Sequence, residues 1–225
     1  MMSRKGPATD GLKTRLKTAR GRTVASQKWL ERQLNDPYVK AAKAKGYRSR
    51  AAFKLIEVDQ KHRLLKRGAI VIDLGAAPGG WAQVAADKVG PQGKVIGIDI
   101  LEMDPIPGVT LECLDFMAEE APDRLRALAG GLVDVVLSDM APNTTGHRET
   151  DHLRIMALCE AALAFAIEIL RPGGAFLCKV RQGGTEKTLL DLLKRHFAKV
   201  VHIKPPASRA DSTEMYVLGT GFRAG

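Results

Sequence analysis

From Gly68 onward, apolar runs of strand length alternate with stretches of helical length. The runs are AIVIDL (69–74), KVIGIDI (94–100), VTLECL (109–114), VDVVLSD (133–139) and GAFLCKV (174–180). Helices are predicted between them, near 79–89, 119–129, 149–170 and 185–196. Strands that are apolar throughout and separated by helices belong to a parallel sheet covered on both faces. KVVHIK (199–204) and EMYVLGT (214–220) follow with only a loop between them. Two strands without a crossover helix pair antiparallel. The pattern therefore predicts an α/β, Rossmann-like fold: a mostly parallel seven-stranded sheet, its last strand antiparallel, with helices on both faces.

Before Gly68 the pattern is different. Residues 1–27 are polar, basic and poor in large apolar side chains, too poor to bury a core, and are expected to be disordered when free. Residues 28–45 predict one or two short helices, interrupted at Asn35-Asp36-Pro37. Ser49 reads as the N-cap of a helix running to about Leu65, with Phe53, Ile56 and Leu64 on its apolar face. The expected division is a basic, flexible extension over 1–45 and one folded domain over 46–225.

Charge sharpens that division. The chain of 225 residues carries a net charge of +10. Residues 1–68 hold 19 Lys/Arg against 5 Asp/Glu, and the remainder holds 16 against 20. A basic head on a slightly acidic body points to a polyanionic partner, RNA or DNA ahead of an acidic membrane. The head is Arg-rich, as targeting peptides are, but lacks their apolar face. No apolar stretch approaches the length of a membrane span, and ALCEAALAFAIEIL is cut by Glu160 and Glu168. Cys113, Cys159 and Cys178 have no CxxC spacing and fit reduced core residues of a cytosolic protein. The five histidines show no metal-ligand spacing, so no metal is expected.

The first strand runs into Asp73 and then LGAAPGGW. A strand, glycine loop and helix bind a nucleotide-like ligand at the carboxyl edge of such a sheet. The dinucleotide fingerprint is absent, because Ala77 stands where its second glycine should be and Pro78 offers no N–H. No P-loop is present either. A ligand with adenosine but no phosphate remains, and S-adenosyl-L-methionine fits. Asp99 ends the second strand, where a carboxylate accepts ribose hydroxyls. Asp115 and Phe116 end the third, facing the adenine. Small residues let the loop backbone approach the ligand closely. Trp81 either walls the pocket or belongs to the core.

The fourth strand ends in Ser138-Asp139-Met140-Ala141-Pro142-Asn143. No cysteine nucleophile stands there for C5 methylation of cytosine. The Asn/Asp-Pro-Pro-aromatic run of amine methyltransferases is missing too. Instead Asp139 ends strand four, and Lys179 sits in the apolar fifth strand, where a lysine is costly unless paired. Adjacent strands bring Asp139 and Lys179 to one rim. If the last strand pairs beside strand five, Glu214 begins at that rim as well.

These residues resemble the FtsJ/RrmJ-type ribose 2′-O-methyltransferase family over about Tyr47 to Thr220. The likeness lies in RSRAAFKL, DLGAAPGGW, SDMAPN, the KV followed by QG, and DSTEMY. It implies a catalytic tetrad of Lys54, Asp139, Lys179 and Glu214. Lys54 comes from the resemblance alone, since spacing makes it an i,i+3 partner of Glu57. Family cofactor positions fall on Gly79, Trp81, Asp99, Asp115 and Asp139. With the loop they complete a candidate cofactor site of Gly75, Ala76, Pro78, Gly79, Gly80, Trp81, Asp99, Asp115, Phe116 and Asp139. The implied reaction is methyl transfer to a ribose O2′, with a uridine in the A-loop of large-subunit ribosomal RNA as acceptor. The implied partner is ribosomal RNA in the assembled large subunit, met by a cytoplasmic monomer. Transfer RNA or another RNA, or a non-catalytic RNA-binding role on the same scaffold, are the alternatives. Lys179 would meet the hydroxyl as base or as orienter, and carboxylates beside it favour its charged form. The basic extension is longer than the family leads one to expect.

Overall fold

The computed structural model describes residues 23–142, 145–181 and 187–224. The start of the expected extension, Asn143 of SDMAPN and the QG after Lys179 lie outside the described residues. The chain order is α1 (Val24–Asn35), α2 (Pro37–Ala44), α3 (Ala52–His62), β1 (Ile70–Leu74), α4 (Gly80–Val89), β2 (Lys94–Asp99) and β3 (Val109–Cys113). It continues with α5 (Ala121–Ala129), β4 (Val133–Ser138), α6 (Arg148–Ile169), β5 (Leu170–Arg181), α7 (Lys187–His196), β6 (Phe197–Ile203) and β7 (Glu214–Phe222). One seven-stranded sheet has the order β3-β2-β1-β4-β5-β7-β6. All pairings are parallel except those of β7, which runs antiparallel between β5 and β6. The strand order reverses between β1 and β4, and a crevice opens at the carboxyl ends there.

Strand parity distributes the core over the two faces. Val136, Phe176, Cys178 and Val217 pack with Leu125, Leu163 and Leu193 of α5, α6 and α7. Val135, Leu137, Leu177, Tyr216 and Leu218 pack on the other face with Leu55 of α3 and Trp81 and Val84 of α4. Continuing that second parity by one step puts position 139 after β4, 179 in β5 and 214 in β7 on the α3–α4 side, at the rim. One periodicity therefore builds the core and also aims the polar residues.

Several local expectations change. Ser49 does not cap α3; the N-cap is Ala51, with no side-chain cap bond. The Ser49 hydroxyl is buried without a hydrogen-bond partner and faces Gly80, where a Cβ would collide with it. Close approach of α3 to the start of α4 has displaced the capping role. The helix also stops earlier than Leu65: Arg63 takes a left-handed φ of 55°, and Leu64 is buried beyond the helix. Cys159 and Cys178 are buried free thiols, whereas Cys113, on the edge strand β3, is exposed. Asp36 caps α2 by accepting from the Tyr38 N–H, ahead of Pro37 in the first turn. Ala42 of α2 packs with Phe53 of α3 and Ala207, so packing crosses the expected boundary at residue 45. No helix among the described residues is long and apolar enough to cross a membrane.

Candidate active site

A cavity of about 600 Å³ opens at the strand-order reversal. Gly75, Asp99, Asp115, Phe116, Asp139 and Lys179 are among the residues that line it. Ala76, Pro78, Gly79, Gly80 and Trp81 are not among the lining residues; Pro78 is exposed and the other four are buried. Gly75 has φ 77°, and a Cβ there would lie 2.7 Å from Met140 Cγ and 2.9 Å from Met140 Cα. Glycine thus permits both the turn and the tight seat of the loop against the end of β4. Trp81 is buried, donates from Nε1 to the Ala51 carbonyl at 2.9 Å, and packs its ring on Tyr216 at 5.5 Å. It ties α3 to α4 beneath the rim.

The chain's own backbone holds the carboxylates at the ends of β2 and β3. Asp99 Oδ2 accepts from the Ala77 N–H at 2.9 Å, and Oδ1 accepts from Leu101 at 3.0 Å. Asp115 Oδ1 accepts from Met117 at 2.9 Å. Asp73 lies deeper, fully buried, and its carboxylate oxygens have no well-formed hydrogen bond. Burial above all, then Asp139 and Asp99, pushes its pKa up to about 8, with slight relief from the Ala82 N–H.

On the other side of the cavity, charges hold one another. Lys179 Nζ lies 2.7 Å from Asp139 Oδ1 and donates to the Asp139 carbonyl at 2.8 Å. Lys54 Nζ lies 2.6 Å from Glu214 Oε1. The Tyr216 hydroxyl joins the two pairs: it donates to Asp139 Oδ1 at 2.7 Å and receives from Lys54 at 3.3 Å. Glu57 is not the partner of Lys54; it accepts from the Tyr38 hydroxyl and the Ala207 N–H. Burial pulls the Lys179 ammonium down, but Asp139 and Glu214 outweigh it, so its pKa ends above the ordinary lysine value. Burial and the same two carboxylates raise Tyr216 well above an ordinary tyrosine.

The FtsJ-like methyltransferase profile matches residues 47–222. The chain belongs to the FtsJ-like methyltransferase family. It is 62% identical to the ribosomal RNA large subunit methyltransferase E of Xanthobacter autotrophicus, over 97% of this chain and 87% of that protein. The protein of the same name from Parvibaculum lavamentivorans is 61% identical, over 94% and 87%. A crystal structure described as a ribosomal RNA methyltransferase from Plasmodium falciparum superposes with a TM-score of 0.69 at 32% identity, over 78% of this chain and 98% of that one.

For an FtsJ-like methyltransferase the cofactor is S-adenosyl-L-methionine, and the cavity fits it. Asp99, Asp115 and Asp139 place three carboxylates on the cavity lining, with only Asp139 ion-paired to a lysine there. A ligand carrying a sulfonium and an ammonium complements them. Ile98, Leu114 and Phe116 supply apolar walls suited to adenine. Among the described residues no group of three or more His, Cys, Asp or Glu side chains is arranged to hold a metal ion. Sequence reasoning missed Tyr216. The signal was available: Glu214 and Tyr216 alternate onto one face of the final strand, which points to Tyr216 once Glu214 is chosen.

Proposed function

We propose that this chain 2′-O-methylates a ribose of large-subunit ribosomal RNA, a uridine of the A-loop, acting as a cytoplasmic monomer on the assembled subunit. The observation that carries the chemistry is the unused donor on Lys179. An ammonium has three N–H groups. Two of them meet Asp139, at 2.7 and 2.8 Å. Among the described residues the third meets no partner, and it is left for an acceptor oxygen in the same cavity, which Lys179 lines.

When bound, S-adenosylmethionine supplies an electrophilic methyl group. Asp99, Asp115 and Phe116 hold its adenosine, with the Gly75 turn giving close backbone approach. Lys179 acts as a cation that orients the O2′ lone pair, and the hydroxyl proton is lost to solvent. Asp139 fixes the lysine. Glu214, Lys54 and Tyr216 keep the pair charged and in position, so that much of the rate comes from alignment. Support for RNA as the acceptor comes from the basic head, and support for ribosomal RNA from the names of the relatives.

The test is transfer of labelled methyl to large ribosomal subunits from cells lacking this protein, followed by mapping of the nucleotide. A label that blocks alkaline cleavage at one A-loop uridine is the expected result. Label on a base, or on transfer RNA in preference to the subunit, would overturn the assignment of group or of substrate respectively.

A further inference from the structure

A separate cavity, of about 320 Å³, opens at the opposite edge of the sheet, where the parallel strands begin. His62, Arg63, Lys66, Asp134, Arg171 and Thr220 are among the residues that line it. The segment that contributes the first three, KHRLLKR over 61–67, holds four Lys/Arg and one His without an acid. Lys61, Arg63, Lys66 and Arg67 are all exposed. Lys199, exposed on the edge strand β6, acts on the same histidine from the other side.

This edge is short of acceptors. The lining carboxylate, Asp134, is already occupied: one oxygen accepts from the Ile70 N–H at 2.8 Å and the other pairs with Arg171 at 3.3 Å. Arg171 uses a further donor on the Leu132 carbonyl at 2.7 Å. Asp59, the nearest acid along the chain, accepts from the Leu65 N–H and lies 3.9 Å from Lys88. Among the described residues Lys61, Arg63, Lys66, Arg67 and Lys199 have no carboxylate partner. His62 registers the resulting field: burial, then Lys61 and Lys199, lowers its pKa, and its Nε2 is buried with no partner.

The ligand suited to such an edge is an anion with several acceptor oxygens. Phosphate matches a guanidinium in two-point hydrogen bonds and a lysine as a point charge. A short exposed segment rich in Lys and Arg is a recurring nucleic-acid contact. A single free phosphate would leave Lys61, Arg67 and Lys199 unmatched, whereas a polyanionic backbone engages them together. Distance decides which part of the backbone. Five residues of extended chain separate Asp134 from Asp139, ~17 Å at about 3.3 Å per residue. The cavity and the charge network stand at opposite ends of one strand, so the nucleotide presented to Lys179 cannot also fill this cavity.

We propose that this amino edge is a second RNA-binding surface, at which Arg63 and Lys66 grip the phosphodiester backbone of a ribosomal RNA segment distinct from the one that carries the acceptor ribose. The surface rests on the RNA methyltransferase reading above. Folded ribosomal RNA can bring two segments to opposite ends of the enzyme, so this edge helps to select the folded substrate without touching the chemistry. Arg171, fixed by Asp134 and the Leu132 carbonyl, anchors the cavity wall. Arg63 and Lys66 are the exchangeable contacts.

The experiment compares wild-type enzyme with the double variant Arg63→Gln/Lys66→Gln, using undermethylated large ribosomal subunits over a range of salt. Glutamine keeps the length of the side chain and removes its charge. KM should rise at least ~10-fold near about 0.1 M salt, with kcat unchanged. The slope of log(kcat/KM) against log salt should flatten by about two contacts' worth. Arg63→Lys/Lys66→Arg should keep the wild-type slope. Arg126→Ala, which removes a cation paired with Asp123 and Glu168 on the far side of the sheet, is the control for net charge and should change neither quantity. Unchanged S-adenosylmethionine binding in every variant shows that the fold is intact. Wild-type KM and slope in the folded double variant, or an equal loss in Arg126→Ala, would end the proposal and leave the methyltransferase reading in place. A wild-type enzyme that transfers no methyl to those subunits would overturn both.

Discussion

The two halves of the sheet rim carry carboxylates in equal prominence but restrain them differently. At the ends of β2 and β3, Asp99 and Asp115 accept hydrogen bonds from backbone N–H groups two residues further along the chain and, for Asp99, in the glycine loop. Their positions are set once the chain turns. At the ends of β4, β5 and β7, Asp139, Lys179, Glu214 and Lys54 are set by one another, through two ion pairs and the Tyr216 hydroxyl. The first half is preorganised by the backbone and remains so when a neighbour is changed. The second is a balance of charges, in which removing one member leaves another buried and unpaired. Binding should fail locally in the first half. Chemistry should fail collectively in the second.

The largest effect tests that collective character. Lys179→Ala should lower kcat by at least ~10²-fold, as expected for a positioned group used in the transition state. S-adenosylmethionine affinity should change little. Lys179→Arg separates the two possible roles, because arginine keeps the charge but cannot lose its proton at working pH. With Lys179 above its ordinary pKa, only a minute fraction is neutral near neutrality. A base would therefore give a rate that climbs about tenfold per pH unit up to that pKa. A cationic orienter gives a flat profile and partial activity in the arginine variant, which is the expected result. A rising limb together with a dead arginine variant would assign Lys179 as the base.

Much of this second half could be read from the chain because strand parity carries it. Leu137 and position 139, Leu177 and Lys179, and Glu214 and Tyr216 are pairs two residues apart, and one face follows from the apolar member. Asp139 and Lys179 emerge that way, and Glu214 follows from the antiparallel pairing of β7 with β5, where it stands opposite Arg181. Lys54 does not emerge. A lysine on a helix looks the same whether it faces solvent or a sheet edge, and only the packing of α3 over the rim decides it. Ser49 misled for a related reason: its type and place suit a cap, but contact with Gly80 from another helix claims it. The amino-edge cavity was illegible as a site, since Arg171 and Lys199 join the KHRLLKR segment only through the fold.

A smaller effect is expected in the first half. Asp99→Ala should weaken S-adenosylmethionine binding by ~1.5–3 kcal/mol, the usual worth of a charge-assisted hydrogen bond. The turnover of saturated enzyme should be nearly preserved, because no charge partner is stranded. Calorimetry gives the first quantity and single-turnover methylation the second. Unchanged affinity in a folded variant would remove Asp99 from the cofactor site. A parallel collapse of kcat would erase the distinction between the two halves.

The smallest effect probes the joint between the two ion pairs. Tyr216→Phe keeps the ring that packs on Trp81 at 5.5 Å and removes only the hydroxyl. Asp139 then loses a donor at 2.7 Å but retains Lys179 at the same distance. One ion-pair partner remains, so the loss should be modest, about 1 kcal/mol or roughly fivefold in kcat. Cofactor affinity should not move. The informative quantity is the coupling with Glu214→Gln. If the hydroxyl transmits the state of the Lys54–Glu214 pair to Asp139, Glu214→Gln should cost less in the phenylalanine background than in wild type. An interaction energy of at least ~0.5 kcal/mol is expected for side chains in one hydrogen-bonded network. Strict additivity would mean that the two ion pairs work independently and that the Tyr216 hydroxyl serves Asp139 alone. The acceptor half would then be two local devices side by side, no more collective than the backbone-held carboxylates opposite.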